Sequence, residues 1–156
     1  MNLHRRLAIT APLVIGLICS VVQAQSKKLE RAELPHAVET TLAAESQGAT
    51  IRGLSTEVED GKRVYEATLM VNGHARVLGI DAQGNLLEIE DEVSLASVPP
   101  AVKIGLMKVA GKGTIEKVET LTKKGKLVAY EADVKTGVKR SEIQVGPDGR
   151  KLAHPE

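Results

Sequence analysis

The sequence predicts an α+β fold made of two tandem copies of one unit, each a short helix followed by a four-stranded antiparallel meander. Three observations carry this. Arg63 to Gly73 alternates like a strand and ends in Asn72-Gly73, the strongest short hairpin signal. Tyr130-Glu131-Ala132 repeats Tyr65-Glu66-Ala67 at an offset of 65, and these are the only two tyrosines in the chain. Upstream, Val98-Pro99-Pro100-Ala101-Val102 repeats Leu34-Pro35-His36-Ala37-Val38 at an offset of 64. A repeat of this length implies a duplicated supersecondary unit.

Residues 1–24 read as a secretory signal. Arg5 and Arg6 start it, Leu7 to Val22 is an apolar run, and Val22-Gln23-Ala24 places small residues at −3 and −1 of a cut before Gln25. The run is short for a membrane-spanning helix, which takes about 20 residues. The expected location is therefore periplasmic or extracellular, without stable membrane insertion after cleavage. Cys19 is the only cysteine and lies inside this segment, so the mature chain has no disulfide, no cysteine nucleophile and no cysteine-ligated metal.

A polar linker, 25–33, leads into repeat 1, 34–95. In Leu34 to Glu45, Pro35 suits a first helical turn, Val38 and Leu42 lie at i, i+4, and Gln47-Gly48 ends the helix. Four strands follow: Thr50–Glu59, Arg63–Val71, His74–Asp81 and Asn85–Val93. They are separated by Asp60-Gly61, Asn72-Gly73 and Gln83-Gly84. A two-residue Asn72-Gly73 turn sets Met70 opposite Ala75, Leu69 opposite Arg76, Thr68 opposite Val77, Ala67 opposite Leu78 and Tyr65 opposite Ile80. Tyr65, Ala67, Leu69, Leu78 and Ile80 then share the core face, with Arg76 at its rim. Glu66, Thr68, Met70, Ala75 and Val77 share the open one. The acidic run Glu88 to Glu92 reads as a charged strand that discourages edge pairing.

Repeat 2, 96–156, restarts the plan. Val102 and Leu106 match Val38 and Leu42, Ile143 and Val145 match Leu78 and Ile80, and Asp148-Gly149 matches Gln83-Gly84. Gly137-Val138 suits a type II′ turn. The chain stops soon after Leu152, so the last strand of repeat 2 is short or frayed. Phe and Trp are absent, which leaves aliphatic residues to build the core. A unit of about 60 residues is marginal alone, so the two units lean on each other.

Loss of Arg5 and Arg6 leaves 19 cations against 20 acids. From Gln25 to Leu95 there are 7 basic and 13 acidic residues, and from Ala96 to Glu156 there are 12 and 7. This asymmetry reads first as ordinary solvated surface and second as a basis for docking between units or head-to-tail association of copies. Basic runs with interleaved aromatics are missing, which argues against nucleic-acid binding. His36, His74 and His154 have no metal-ligand spacing, and neither a nucleophile elbow nor a phosphate loop is present. Glu66 and Glu131 read as solvent-facing. The expectation is a protein that is not an enzyme and needs no metal or cofactor.

The two Leu/Val-Pro-x-Ala-Val helices, the two Tyr-Glu-Ala strands and the Asp81-x-x-Gly84-Asn85 and Pro147-Asp148-Gly149 turns together resemble the PepSY-like, β-lactamase-inhibitor-like family of secreted bacterial proteins, over about residues 32 to 152. The resemblance implies tandem units forming one shared curved sheet with the helices on one face, residence outside the cytoplasm, and a role in binding or restraining other proteins. The chain departs from true β-lactamase inhibitors in lacking disulfides and an aromatic concave face, so no contact residues carry over. Repeat 1 differs from repeat 2 in presenting an apolar open face. Glu66, Thr68, Met70, Ala75 and Val77 are therefore the expected contact residues for a protein or peptide partner. The second expectation is a structural or stress-related envelope protein that self-associates through its sheet.

Overall fold

The structure is a computed structural model that describes residues 26–59 and 61–156. The signal segment, its cleavage point at Gln25, Cys19 and the Asp60 half of the first turn lie outside the described residues. One antiparallel sheet runs through the whole chain in sequence order: β1 (Lys27–Lys28), β2 (Thr50–Glu59), β3 (Lys62–Val71), β4 (His74–Asp81), β5 (Leu86–Glu92), β6 (Thr114–Lys123), β7 (Lys126–Thr136) and β8 (Lys139–Val145). Helices α1 (His36–Glu45) and α2 (Pro100–Ala110) pack on one face.

The Asn72-Gly73 turn behaves as its residues require. Both take positive φ, +50° and +87°, which is the type I′ geometry. The resulting register is the expected one at every pair, from Met70 opposite Ala75 to Tyr65 opposite Ile80. Period-two alternation then delivers Ala67, Leu69, Leu78 and Ile80 to a core closed by Val38 and Leu42 of α1. The second core repeats it with Val102, Leu106, Val118, Tyr130, Ala132 and Val145. The duplication extends to irregularities: the ladder slips between Ile51 and Gly53 in the first unit and between Ile115 and Lys117 in the second. Such bulges increase local twist.

Each helix is held against its sheet by a glycine turn. Gly84 and Gly149 have φ of +85° and +77°. A Cβ on Gly84 would stand 2.6 Å from the Ala37 carbonyl oxygen, and one on Gly149 would collide with the matching carbonyl of Ala101. In the first unit Thr41 Oγ1 donates to the Gly84 carbonyl at 2.6 Å. In the second unit Gly105 stands in place of that threonine, and the Gly149 carbonyl oxygen fills the space its Cβ would need.

Three expectations need correction. The 25–33 segment is not a plain linker. Lys27 and Lys28 pair with Thr56 and Ser55, Arg31–Glu33 forms a 3-10 turn, and Arg31 Nε donates to Glu39 on α1 at 3.0 Å. The acidic strand β5 is not an edge: it pairs with β4 on one side and β6 on the other and is the seam between the units. Tyr130 is buried, but Tyr65 is only half-buried. As expected from the sequence, the fourth strand of the second unit is short, a single bridge from Val145 to Lys151. Arg76, at the rim of the core face, forms a two-pronged pair with Asp91 across β4 and β5, at 2.6 and 3.0 Å.

Candidate functional site

The face without helices is concave. Glu57 on β2 and Glu142 on β8 have five strands between them, yet both line one depression of about 300 Å³. Its walls are mostly carboxylates, among them Glu66, Glu88, Glu90 and Glu131, and Leu121 lines it too. The register explains the crowding. Glu92, Glu119, Glu131 and Gln144 stand opposite one another across four strands, and Glu90, two residues from Glu92, projects on the same face. Like charges opposite one another are destabilising in a sheet. Lys123 is the one cation lining the depression, and it lies 3.4 Å from Glu88.

Glu131 was expected to face solvent. It is buried, 6% exposed, and Gln144 Nε2 donates to its Oε1. The C-terminal tail contributes to this: Pro155 and Glu156 line the same depression, and the Glu156 backbone N donates to Gln144 Oε1 at 2.8 Å, which holds Gln144 against Glu131. Burial, with Glu142 and Glu119 close by, pushes the Glu131 carboxyl up to about 7. The Glu90 carboxyl is pushed up to about 8 by burial, then by Glu131 and Glu119. Glu57 rises to about 7, by partial burial and by Glu66 and Glu59. Glu142 is raised by burial and Asp133. Carboxyls held this way keep protons near neutrality.

A pH dependence follows. Glu90 and Glu131 hold protons in the fold at pH values where an ordinary glutamate, titrating near 4.5, has lost them. The folded state therefore binds the extra protons, and stability falls as pH rises through 7 to 8. Glu90 is only half-buried and the two carboxyls share one charge cluster, so the combined effect between pH 5 and 8 is about 2 kcal/mol, less than the full shifts convert to. Denaturant midpoints across this range should drop with rising pH, and Glu90→Gln with Glu131→Gln should remove most of the slope. A slope unchanged in the double variant would contradict this account.

Carboxylate oxygens of Glu90, Glu119 and Glu131 lie within 4.8 Å of one another. Glu119 is buried and its Oε1 has no hydrogen-bond partner, but Lys117 Nζ is 2.7 Å from that atom as an ion pair. Burial pulls the Lys117 pKa down, and the Glu119 carboxylate more than offsets this. These are hard oxygen donors of the kind calcium takes, but calcium wants about six to eight and the trio offers few. An ammonium already stands against one of them.

The five residues expected to contact a partner do share this face. Met70 opposes Ala75, Thr68 opposes Val77, and Glu66 opposes Gly79. All five are half-buried, and Ser55 Oγ donates to Glu66 Oε2 at 2.8 Å. Val77 stands directly opposite Glu90, so the apolar patch borders the carboxylate cluster. Glu90 and Glu119 were missed by the sequence reading. The pairing of β5 with β6 is what joins them, and no local pattern announces that contact.

No family model and no curated protein matches the sequence. Solved structures do match. A BLIP-like protein from Bacteroides fragilis aligns with a TM-score of 0.56 and 23% identity, over 76% of this chain and 83% of its own. The chain shares the BLIP-like fold. A DUF2874 family protein from Bacteroides ovatus gives 0.59 and 18%, covering 76% and 84% of the two chains. A candidate periplasmic protein from Bacteroides eggerthii gives 0.62 and 18%, covering 76% and 86%. At these identities the likeness establishes the BLIP-like architecture: tandem helix-plus-meander units on one open sheet.

Proposed function

We propose that this chain is a non-enzymatic binding module of the periplasm or cell exterior that takes a basic, partly apolar protein or peptide segment on its concave sheet face. The observation behind this reading is the composition of the face without helices. It joins an apolar patch at Met70, Ala75 and Val77 to a cluster of carboxylates whose charges repel. A lysine or arginine side chain entering the depression would relieve that repulsion, while Met70 offers adaptable apolar contact. The apparent signal segment and the likeness to the candidate periplasmic protein from Bacteroides eggerthii support the location.

The test is capture of a basic amphipathic peptide by the chain from Gln25 onward. Binding should weaken by at least about tenfold when Met70 and Val77 are both changed to Lys, because the patch becomes cationic. Circular dichroism should show the fold intact. Undiminished binding by that folded variant would remove the face from consideration. If the chain instead forms a stable homo-oligomer that hides this face, the self-associating envelope protein becomes the better reading.

A further inference from the structure

The other side of the molecule carries a second surface, independent of the concave face. Helix α2 turns Val102 and Leu106 inward to the second core, which leaves Ile104 and Met107 pointing outward, 67% and 56% exposed. Beside them lies a groove of about 810 Å³ between α2 and the turn at residues 148–151, floored by Ala101, Gly105 and Gly149. Its existence depends on the two glycines described above. Three exposed cations, Lys108, Arg150 and Lys151, line the groove, and two more, Lys103 and Lys112, stand exposed on α2 and just past its end. The acid lining the groove, Asp148, is engaged by Arg150: it accepts from the Arg150 backbone N at 2.9 Å and lies 3.6 Å from the Arg150 side chain.

The duplicated unit serves as an internal control. At the positions of Lys103, Ile104, Gly105, Met107 and Lys108, helix α1 carries Glu39, Thr40, Thr41, Ala43 and Ala44. The same fold is therefore built without the apolar pair and without the cations. Outward Ile and Met beside lysines are the pattern of a helix that lies in a lipid interface, with apolar side chains entering the headgroup region and cations meeting anionic lipid.

We propose that the outer face of α2 with the Asp148–Lys151 turn docks on an anionic phospholipid surface. The charge of these cations selects an anionic partner, and the two protruding apolar side chains supply the dip into the interface. The protruding apolar pair lies on a helix and not along a sheet edge where a peptide backbone would pair, which favours a lipid surface over an acidic peptide. Among the described residues no helix is long and apolar enough to cross a membrane, so the contact is peripheral. Docking here would leave the concave face pointing away from the lipid.

The experiment is co-sedimentation of the chain from Gln25 onward, which contains every described element, with vesicles of phosphatidylcholine alone or mixed with phosphatidylglycerol. Binding to the phosphatidylglycerol vesicles only, weakened by salt, is expected. Ile104→Ser with Met107→Ser, and separately Lys108→Glu with Lys112→Glu, should each reduce partition by roughly tenfold or more. These side chains are exposed, so the fold should survive, and circular dichroism checks it. Failure to bind phosphatidylglycerol vesicles, equal binding to both vesicle types, or unchanged binding by the folded variants would overturn the proposal. Tight binding of polyglutamate without vesicle binding would overturn it in favour of an acidic peptide. None of these outcomes bears on the concave face, because all the altered residues lie on the helix side.

Discussion

Replacing Gly149 with alanine should lower stability by about 3–4 kcal/mol, the largest effect expected of any single methyl group in this chain. Two costs add. Gly149 has φ +77°, a conformation that costs an L-residue about 1–2 kcal/mol. The new Cβ would also land on the Ala101 carbonyl, a backbone atom that cannot rotate aside, so α2 must lift from the sheet. The matched change Gly84→Ala meets the Ala37 carbonyl oxygen at 2.6 Å, a less severe overlap, and should cost less. Gly125→Ala is the control: its φ is +72° but nothing lies within 4 Å of the added atom, so only the conformational cost remains. Urea unfolding of the three variants orders them. A Gly149→Ala cost no greater than that of Gly125→Ala would mean that α2 does not approach its turn so closely.

Tyr130→Ala is the second large effect, at about 3 kcal/mol, in the range for removing a buried aromatic ring. Tyr130 is 8% exposed and sits in the second core opposite Val145. Its counterpart Tyr65 stands opposite Ile80 but is only half-buried at the edge of the first core. Tyr65→Ala should therefore cost roughly half as much, since the transfer free energy scales with the area removed from water. Denaturant midpoints with unchanged slopes would show it. Equal costs would mean that the two units bury their tyrosines alike, against the burial seen here.

Local chemistry explains which parts of this fold could be read in advance. The Asn72-Gly73 turn needs two residues at positive φ, and a turn of fixed length fixes the register of both strands it joins. Val38 and Leu42 mark the inward stripe of α1 for the same kind of reason. The misses all concern contacts distant in sequence. Nothing near Glu88 to Glu92 shows that β6 will pair with it from beyond an entire helix. Charged residues on a strand suggest an exposed edge, so the interior position of β5 stayed hidden, and with it the meeting of Glu90 with Glu119 and Glu131. Burial of Glu131 likewise involves the distant Gln144 and the C-terminal tail, which alternation does not encode. The pairing of Lys27 and Lys28 with β2 escaped notice because two lysines carry no strand pattern at all.

The seam between β5 and β6 has a consequence for how the molecule comes apart. The two units keep separate cores, yet five residue pairs, Glu88–Lys123 through Glu92–Glu119, join them in one hydrogen-bond ladder. If one unit melted, the survivor would be left with a raw strand edge, and that edge would be β5 or β6 with its charged side chains newly solvated. The gain from hydrating those carboxylates partly offsets the lost backbone pairing. The seam therefore resembles a perforation: the place where partial unfolding, proteolytic nicking between Val93 and Pro99, or exchange of a whole unit between two chains would meet the least resistance.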